Sequence, residues 1–276
     1  MKSQANIQWF PGHMTKTRRE FQKTLPTVDI VIELRDARIP EASKNPLIDS
    51  LLKDKPRIIC LTRKDLADPE ETKKWLDHYG SKNNVVALNA LQAKDAKKLL
   101  SLSKRIVKTP DRAFFEHKIM IVGIPNIGKS TLINTLMGKK RTKVQNKPGV
   151  TKQTSWIPLE TGIVLLDTPG ILWPKFEDQK SAKLLAATGA IKDTHFEEDD
   201  IALFVIEFLM KNYPDKLKER YKLKQLPSSA IDCIYEIGKR RGCLVKGGEV
   251  DEYKVYDILL NEFKNGIIGN FTLETV

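Results

Sequence analysis

Apolar residues follow two regimes along this chain. Through roughly the first two-thirds, short and nearly unbroken apolar runs alternate with stretches of helical spacing. The runs at 29–34, 57–61, 85–88, 118–122 and 162–166 are rich in Ile, Val and Leu. Runs of this kind, without strict alternation, predict parallel strands covered on both faces. Between them, 45–53, 68–79, 93–108 and 129–137 repeat apolar positions every three or four residues and predict helices. The alternation implies an α/β fold with an open, doubly wound, mostly parallel sheet.

Past about Pro174 the strand signal fades. Residues 197–212 open with acids and place Ile201, Phe204, Val205, Phe208 and Leu209 at helical spacing. Residues 228–241 follow Pro227 and finish on Lys239-Arg240-Arg241-Gly242, a basic last turn with a glycine stop. A further helix is expected over 251–264, ending before Gly266. The expected division is 1–176, an α/β domain, and 177–276, a small all-α domain that follows it.

Composition narrows the class. Hydrophobic residues make up 41% and charged residues 30% of 276, the profile of a globular chain. No apolar run is long enough to span a bilayer, and the start leads into no signal-peptide pattern. Cys60, Cys233 and Cys243 are the only cysteines; an odd number without a CxxC pair reads as reduced thiols in a cytoplasmic protein. A net charge of +12 favours polyanionic partners, nucleic acid first, with a solvated basic surface as the alternative.

The strand at 118–122 runs straight into Gly123-Ile124-Pro125-Asn126-Ile127-Gly128-Lys129-Ser130, a GxxxxGK[ST] loop between strand and helix. The backbone amides of Asn126, Ile127, Gly128, Lys129, Ser130 and Thr131 are placed to surround phosphate oxygens. The helix N-terminus adds a favourable dipole. Lys129 is expected on the β- and γ-phosphates and Ser130 on Mg²⁺. Downstream, 163–166 ends in Asp167-Thr168-Pro169-Gly170. There Asp167 can hold Mg²⁺ and the Gly170 amide can approach the γ-phosphate. Between them, Thr151 is the expected switch threonine, a ligand of Mg²⁺ and of the γ-phosphate, with Thr154 as rival. Asn126 is a candidate for placing K⁺ near the β/γ bridge, and an ordinary loop position is the alternative.

Nothing after Gly170 offers a guanine-reading NKxD motif. Upstream, 57–61 leads into Thr62-Arg63-Lys64-Asp65. Asp65 is the expected guanine-reading carboxylate, with the Arg63 stem lying over the base. The strand at 85–88 then delivers Asn89-Ala90, whose backbone can contact the guanine oxygen. Thr62 stands where asparagine is usual and is expected to forgo the amide that ties neighbouring loops. The elements of a GTPase are therefore present in circularly permuted order, which folds tolerate when termini lie close together.

At this point the chain resembles the YlqF/RbgA family of circularly permuted GTPases of ribosome biogenesis. The resemblance rests on Trp9-Phe10-Pro11-Gly12-His13-Met14, Asp36-Ala37-Arg38-Ile39-Pro40, the phosphate loop, Pro148-Gly149-Val150-Thr151 and the block from Asp167 to Phe176. It implies a GTP-hydrolysing factor for late assembly of the bacterial large ribosomal subunit, bound to rRNA and the precursor particle, with a C-terminal domain that helps bind RNA. It also implies a catalytic role for His13, which Ile171, unable to orient water, leaves open. Without the family, His13 reads as structural or RNA-contacting. Candidate RNA contacts are Lys139-Lys140-Arg141-Lys143, Lys16-Arg18-Arg19 and Lys239-Arg240-Arg241, each a solvated face on the plainer reading. Trp9 and Phe10 stack on bases or fill a core. Rival readings are a permuted GTPase of small-subunit maturation, an ATPase, and an RNA-binding scaffold.

Overall fold

A computed structural model describes residues 19, 21–52, 54–107, 116–138, 155–160, 162–168, 179–191 and 197–276. The chain forms two compact units, one of residues 1–177 with 274–276 and one of residues 178–273.

The first unit is built on six strands: β1 (Ile30–Asp36), β2 (Arg57–Thr62), β3 (Asn84–Ala87), β4 (His117–Gly123), β5 (Ser155–Glu160) and β6 (Ile163–Asp167). Their order is β3-β2-β1-β4-β6-β5. All neighbours are parallel except the β5/β6 pair. The parallel, doubly wound sheet expected from the apolar runs is what forms. β5 is not among the apolar runs of the sequence; it is an edge strand interrupted by Pro158, with an irregular register between Pro158 and Glu160. Proline is tolerated at such an edge, where its missing N–H costs no ladder bond, so the apolar signature is weak there.

Helices α1 (Pro46–Leu52), α2 (Pro69–Gly80), α3 (Ala93–Val107) and α4 (Lys129–Met137) connect the strands. Asp68 starts α2 by accepting the Glu70 and Glu71 amides, with Pro69 in the first turn, a strong N-terminal signal. β1 is buried along its whole length. Residues matched across parallel strands share a face, and the register puts Glu33 beside Ile59 and Val122. One apolar cluster there joins Val31, Met120, Val122 and Leu166 to Ile48 and Leu52 of α1. A second joins Ile59 and Leu61 to Trp75 and Tyr79 of α2. On that same face lie buried Glu33 and Arg35, 2.8 Å apart, with Arg57 3.2 Å from Glu33. The Arg35 guanidinium stands 4.9 Å from the centre of the Tyr79 ring, a cation–π distance.

Glu274, nearly at the end of the chain, accepts the Glu41 and Ala42 amides at 2.8 and 3.0 Å. Its carbonyl takes the Trp75 indole N–H at 3.1 Å. The last three residues thus complete the first unit, whereas the sequence reading assigned all of 177–276 to the second.

The second unit packs α5 (Gln179–Ala187), α6 (Glu198–Asn212), α7 (Pro214–Tyr221), α8 (Ala230–Arg241) and α9 (Glu252–Lys264). The helices at 179–187 and 214–221 were not anticipated; both are short. A Cβ at Gly238 of α8 would sit 2.4 Å from Val250 and 2.9 Å from Val255, so only glycine allows this close approach. Buried Glu262 pairs with Arg241 at 3.0 Å and with Arg220. Cys60, Cys233 and Cys243 are free and buried. Among the described residues no helix is long and apolar enough to cross a membrane.

Candidate functional site

Parallel strands deliver their carboxyl ends to one edge of the sheet, and chain order reverses between β1 and β4. Such a reversal opens a crevice where the following loops diverge. Here β1 ends on Asp36, β2 on Thr62, β4 on Gly123 and β6 on Asp167, while Asn89 and Ala90 follow β3. The phosphate loop, the acid that ends β6, and the segments after β2 and β3 therefore share one edge.

The phosphate loop leaves β4 pressed against β1: a Cβ on Gly123 would meet the Leu34 carbonyl and the Ile127 side chain, each at 3.1 Å. Gly128 takes φ +95 as the N-cap of α4. This left-handed turn points the chain into the helix and leaves first-turn amides without intrahelical partners. Lys129 is buried, its Nζ 2.6 Å from Asp167 Oδ1, and it also donates to the Thr168 carbonyl. Burial pulls the Lys129 pKa below its ordinary value, and the Asp167 charge opposes that shift. Thr168 donates its hydroxyl to the Ile121 carbonyl at 2.7 Å, tying the end of β6 to β4.

Ser130 follows Lys129 and is exposed. Its hydroxyl and the Asp167 carboxylate are hard oxygen donors on elements that the Lys129–Asp167 contact draws together. No group of three or more His, Cys, Asp or Glu suited to a metal occurs among the described residues. A sparse donor set fits Mg²⁺, which keeps waters and shares substrate phosphates rather than filling a protein cage.

On the base side, Thr62 is fully buried, its Oγ1 3.0 Å from the Arg35 carbonyl and 2.8 Å from that of Ile127. One hydroxyl proton serves both acceptors. The loop tie expected to be lost with asparagine is thus made by the threonine hydroxyl, which reaches the phosphate-loop backbone directly. Arg63 holds φ +57 and Asn126 φ +55, two of the three described non-glycine residues with positive φ. Such conformations cost on the order of 1 kcal/mol or more and gather at functional sites. The two residues meet: Arg63 Nη2 donates to the Asn126 carbonyl at 2.5 Å.

Asp65 is exposed and forms no hydrogen bond with a described residue, leaving its carboxylate available to a ligand. Asn89 shapes its own turn, accepting the Leu91 amide at 2.9 Å. Asp95 of α3 accepts the Asn89 amide at 3.0 Å and pairs with Lys64 at 2.6 Å, which links the two base-side segments. A Cβ on Gly128 would lie 4.0 Å from that of Ala90, so the Asn89-Ala90 turn abuts the phosphate loop.

Two residues gain a place that motif reading did not give them. Asp36 is buried and accepts from Arg38 at its backbone N (3.0 Å), Nε (3.0 Å) and Nη2 (2.8 Å). Arg63 Nη1 lies 3.4 Å from Oδ2, the oxygen that Arg38 Nη2 also reaches. Burial opposes ionisation of Asp36, but Arg38 and then Arg63 hold its pKa below the ordinary carboxylate value. The signal was an acid closing an apolar strand with an arginine two residues on. Asp36 anchors Arg63, and Arg63 in turn grips the phosphate loop.

His13, Thr151, Thr154 and Gly170 lie outside the described residues, as do Trp9, Phe10, Lys16, Arg18 and the cluster at 139–143. Of the basic cluster ending α8, Arg240 pairs with Glu236 at 2.8 Å and Arg241 with Glu262.

A family model described as "50S ribosome-binding GTPase" matches residues 118–236. Ribosome biogenesis GTPase A of Priestia megaterium is 46% identical, the match covering 97% of this chain and 96% of that protein. The protein of the same description from Thermotoga maritima is 32% identical over 97% of this chain and 94% of its own. The GDP-bound structure of YlqF superposes with a TM-score of 0.70 at 28% identity, covering 93% of this chain and 99% of that one.

Proposed function

The chain belongs to the ribosome biogenesis GTPase A family and hydrolyses GTP in ribosome biogenesis, and from that premise we propose that it serves late maturation of the bacterial large ribosomal subunit. In this reading it binds rRNA of the precursor particle in its GTP state, in the cytoplasm, and departs after hydrolysis. The observation that carries the reading is the convergence of the phosphate loop, Asp167 and the Asp65 segment on one sheet edge. The description of the matched family model as 50S ribosome-binding supports the choice of subunit.

The amides of Asn126 to Thr131, with that of Gly170, receive the phosphates, and Lys129 turns from Asp167 to the β- and γ-phosphates. Ser130, Thr151 and Asp167 hold Mg²⁺, which when bound neutralises charge on the phosphate oxygens. Asn126 is the candidate contact for K⁺. Asp65 accepts from the guanine N1–H and exocyclic amine, the Arg63 stem covers the ring, and Asn89-Ala90 meets the guanine oxygen. Thr62 holds these loops together from beneath. His13 positions the attacking water, with Lys129 and Thr151 compensating transition-state charge. The domain boundary falls near residue 177, and the helical domain adds contacts to the particle.

Co-sedimentation with large-subunit precursors tests the reading. Association is expected with a non-hydrolysable GTP analogue and release with GDP, undisturbed by excess ATP. Equal association in both states, association with small-subunit precursors instead, or displacement by ATP overturns it.

A further inference from the structure

The net positive charge of this chain resides in one of its units. Residues 178–273 hold 15 Lys and Arg against 16 Asp and Glu, a net of −1 that leaves +13 for the rest. Within the first unit, many described surface cations have acids beside them, as Lys44 has Asp49, Lys74 has Glu71 and Lys118 has Glu116. Helix α3 differs. Ala96, Leu99, Leu100 and Ser103 face the core. Lys94, Lys97, Lys98, Ser101 and Arg105 stand exposed and line one shallow depression.

These four cations form no ion pair with a described residue. The only acid on the helix, Asp95, is occupied by Lys64 and the Asn89 amide. At 1.5 Å per residue, the stripe from Lys94 to Arg105 extends about 16 Å, enough to meet several phosphates. Four like charges on one helix face repel one another, and a polyanion relieves that repulsion while releasing its own counterions.

We propose that this face of α3 is the surface that grips the RNA phosphate backbone, an inference that rests on the rRNA-binding reading above. The partner is structured RNA recognised by shape and charge rather than sequence, because three of the four cations are lysines, which supply point charges rather than a base-reading fork. Through Asp95, which accepts the Asn89 amide, the helix that carries this face is tied to the Asn89-Ala90 turn.

The test is binding of purified large-subunit rRNA, with a non-hydrolysable GTP analogue present, across a salt series. The variant K94Q/K97Q/K98Q/R105Q keeps good helix formers at all four positions. Its affinity is expected to fall at least about tenfold near 0.1 M salt, and its log–log salt slope to shrink by about 3. The charge-preserving variant K94R/K97R/K98R/R105K should bind as the parent does, and both variants should bind GTP normally. Unchanged affinity and slope in the glutamine variant, or an equal loss in the charge-preserving one, overturns the inference and leaves the rRNA-binding reading standing. Failure of the parent chain itself to bind rRNA overturns that reading instead. Loss of precursor binding with rRNA binding intact would put a ribosomal protein on this face and also overturn the inference.

Discussion

The two units use charge in opposite ways. In the first, ions are buried where the loops converge: Asp36 holds Arg38 and Arg63, and Lys129 is held against Asp167. The cations along α3 face solvent. In the second, acids and bases nearly cancel, and the prominent ions fasten helix to helix, as Glu262 of α9 does with Arg220 of α7 and Arg241 of α8. Charge at the loop edge of the first unit is arranged around the phosphate loop, charge in the second around helix packing. The Lys129–Asp167 pair shows this most clearly, since both partners are expected to exchange each other for ligands when nucleotide arrives.

The sharpest test of that contrast is Lys129→Ala. It removes both the apo partner of Asp167 and the expected phosphate contact. GTP turnover should fall by about 10²–10³-fold, the scale for losing one preorganised transition-state group. Turnover within threefold of the parent would break the assignment.

Glu262→Gln probes the other side. Losing charge-assisted bonds to two arginines should cost the second unit about 1–3 kcal/mol, read by denaturant unfolding, with GTP turnover unaffected. The pH dependence has a definite sign. Burial opposes ionisation of Glu262, but Arg220, by hydrogen bond and charge, and Arg241 hold its pKa below the ordinary 4.5. Its contribution is therefore fully present above about pH 4.5 and is lost as pH falls through the lower folded value. The glutamine variant should lose less stability than the parent as pH falls from about 5 toward acid unfolding. A parallel pH profile in both would contradict the structural role.

The smallest expected effect is that of Thr62→Val, which keeps the shape and removes the hydroxyl tie between β2 and the phosphate loop. A loss of about 1–2 kcal/mol and GTP binding weakened severalfold are expected by thermal unfolding and nucleotide titration. If GTP affinity falls without any loss of stability, Thr62 contacts the ligand rather than the backbone beneath it.

Much of the first unit was legible because its signals are local. A nearly unbroken run such as Ile30 to Leu34, interrupted only by Glu33, calls for cover on both sides, and Gly123 to Ser130 carries its glycines at the spacing of a phosphate loop. Edge strand β5 escaped because Pro158 interrupts its short apolar run. The short helices α5 and α7 escaped because so few turns give little periodicity to read.

The sequence by itself determined the β/α alternation, the phosphate loop, and the order that places Thr62 to Asp65 ahead of it. Those features are written in neighbouring residues, through continuous apolar runs, a period of 3.6 and glycine spacing. Tertiary structure alone decided how the segments engage. Thr62 meets Ile127 across 65 positions, Lys129 meets Asp167 across 38, and Glu274 meets Glu41 across 233. No local pattern encodes such pairs, because they depend on which strands become neighbours and in what register. Once β1, β2, β4 and β6 lie side by side, their carboxyl ends bring the buried acids and cations together, and the permuted order of the chain no longer separates them.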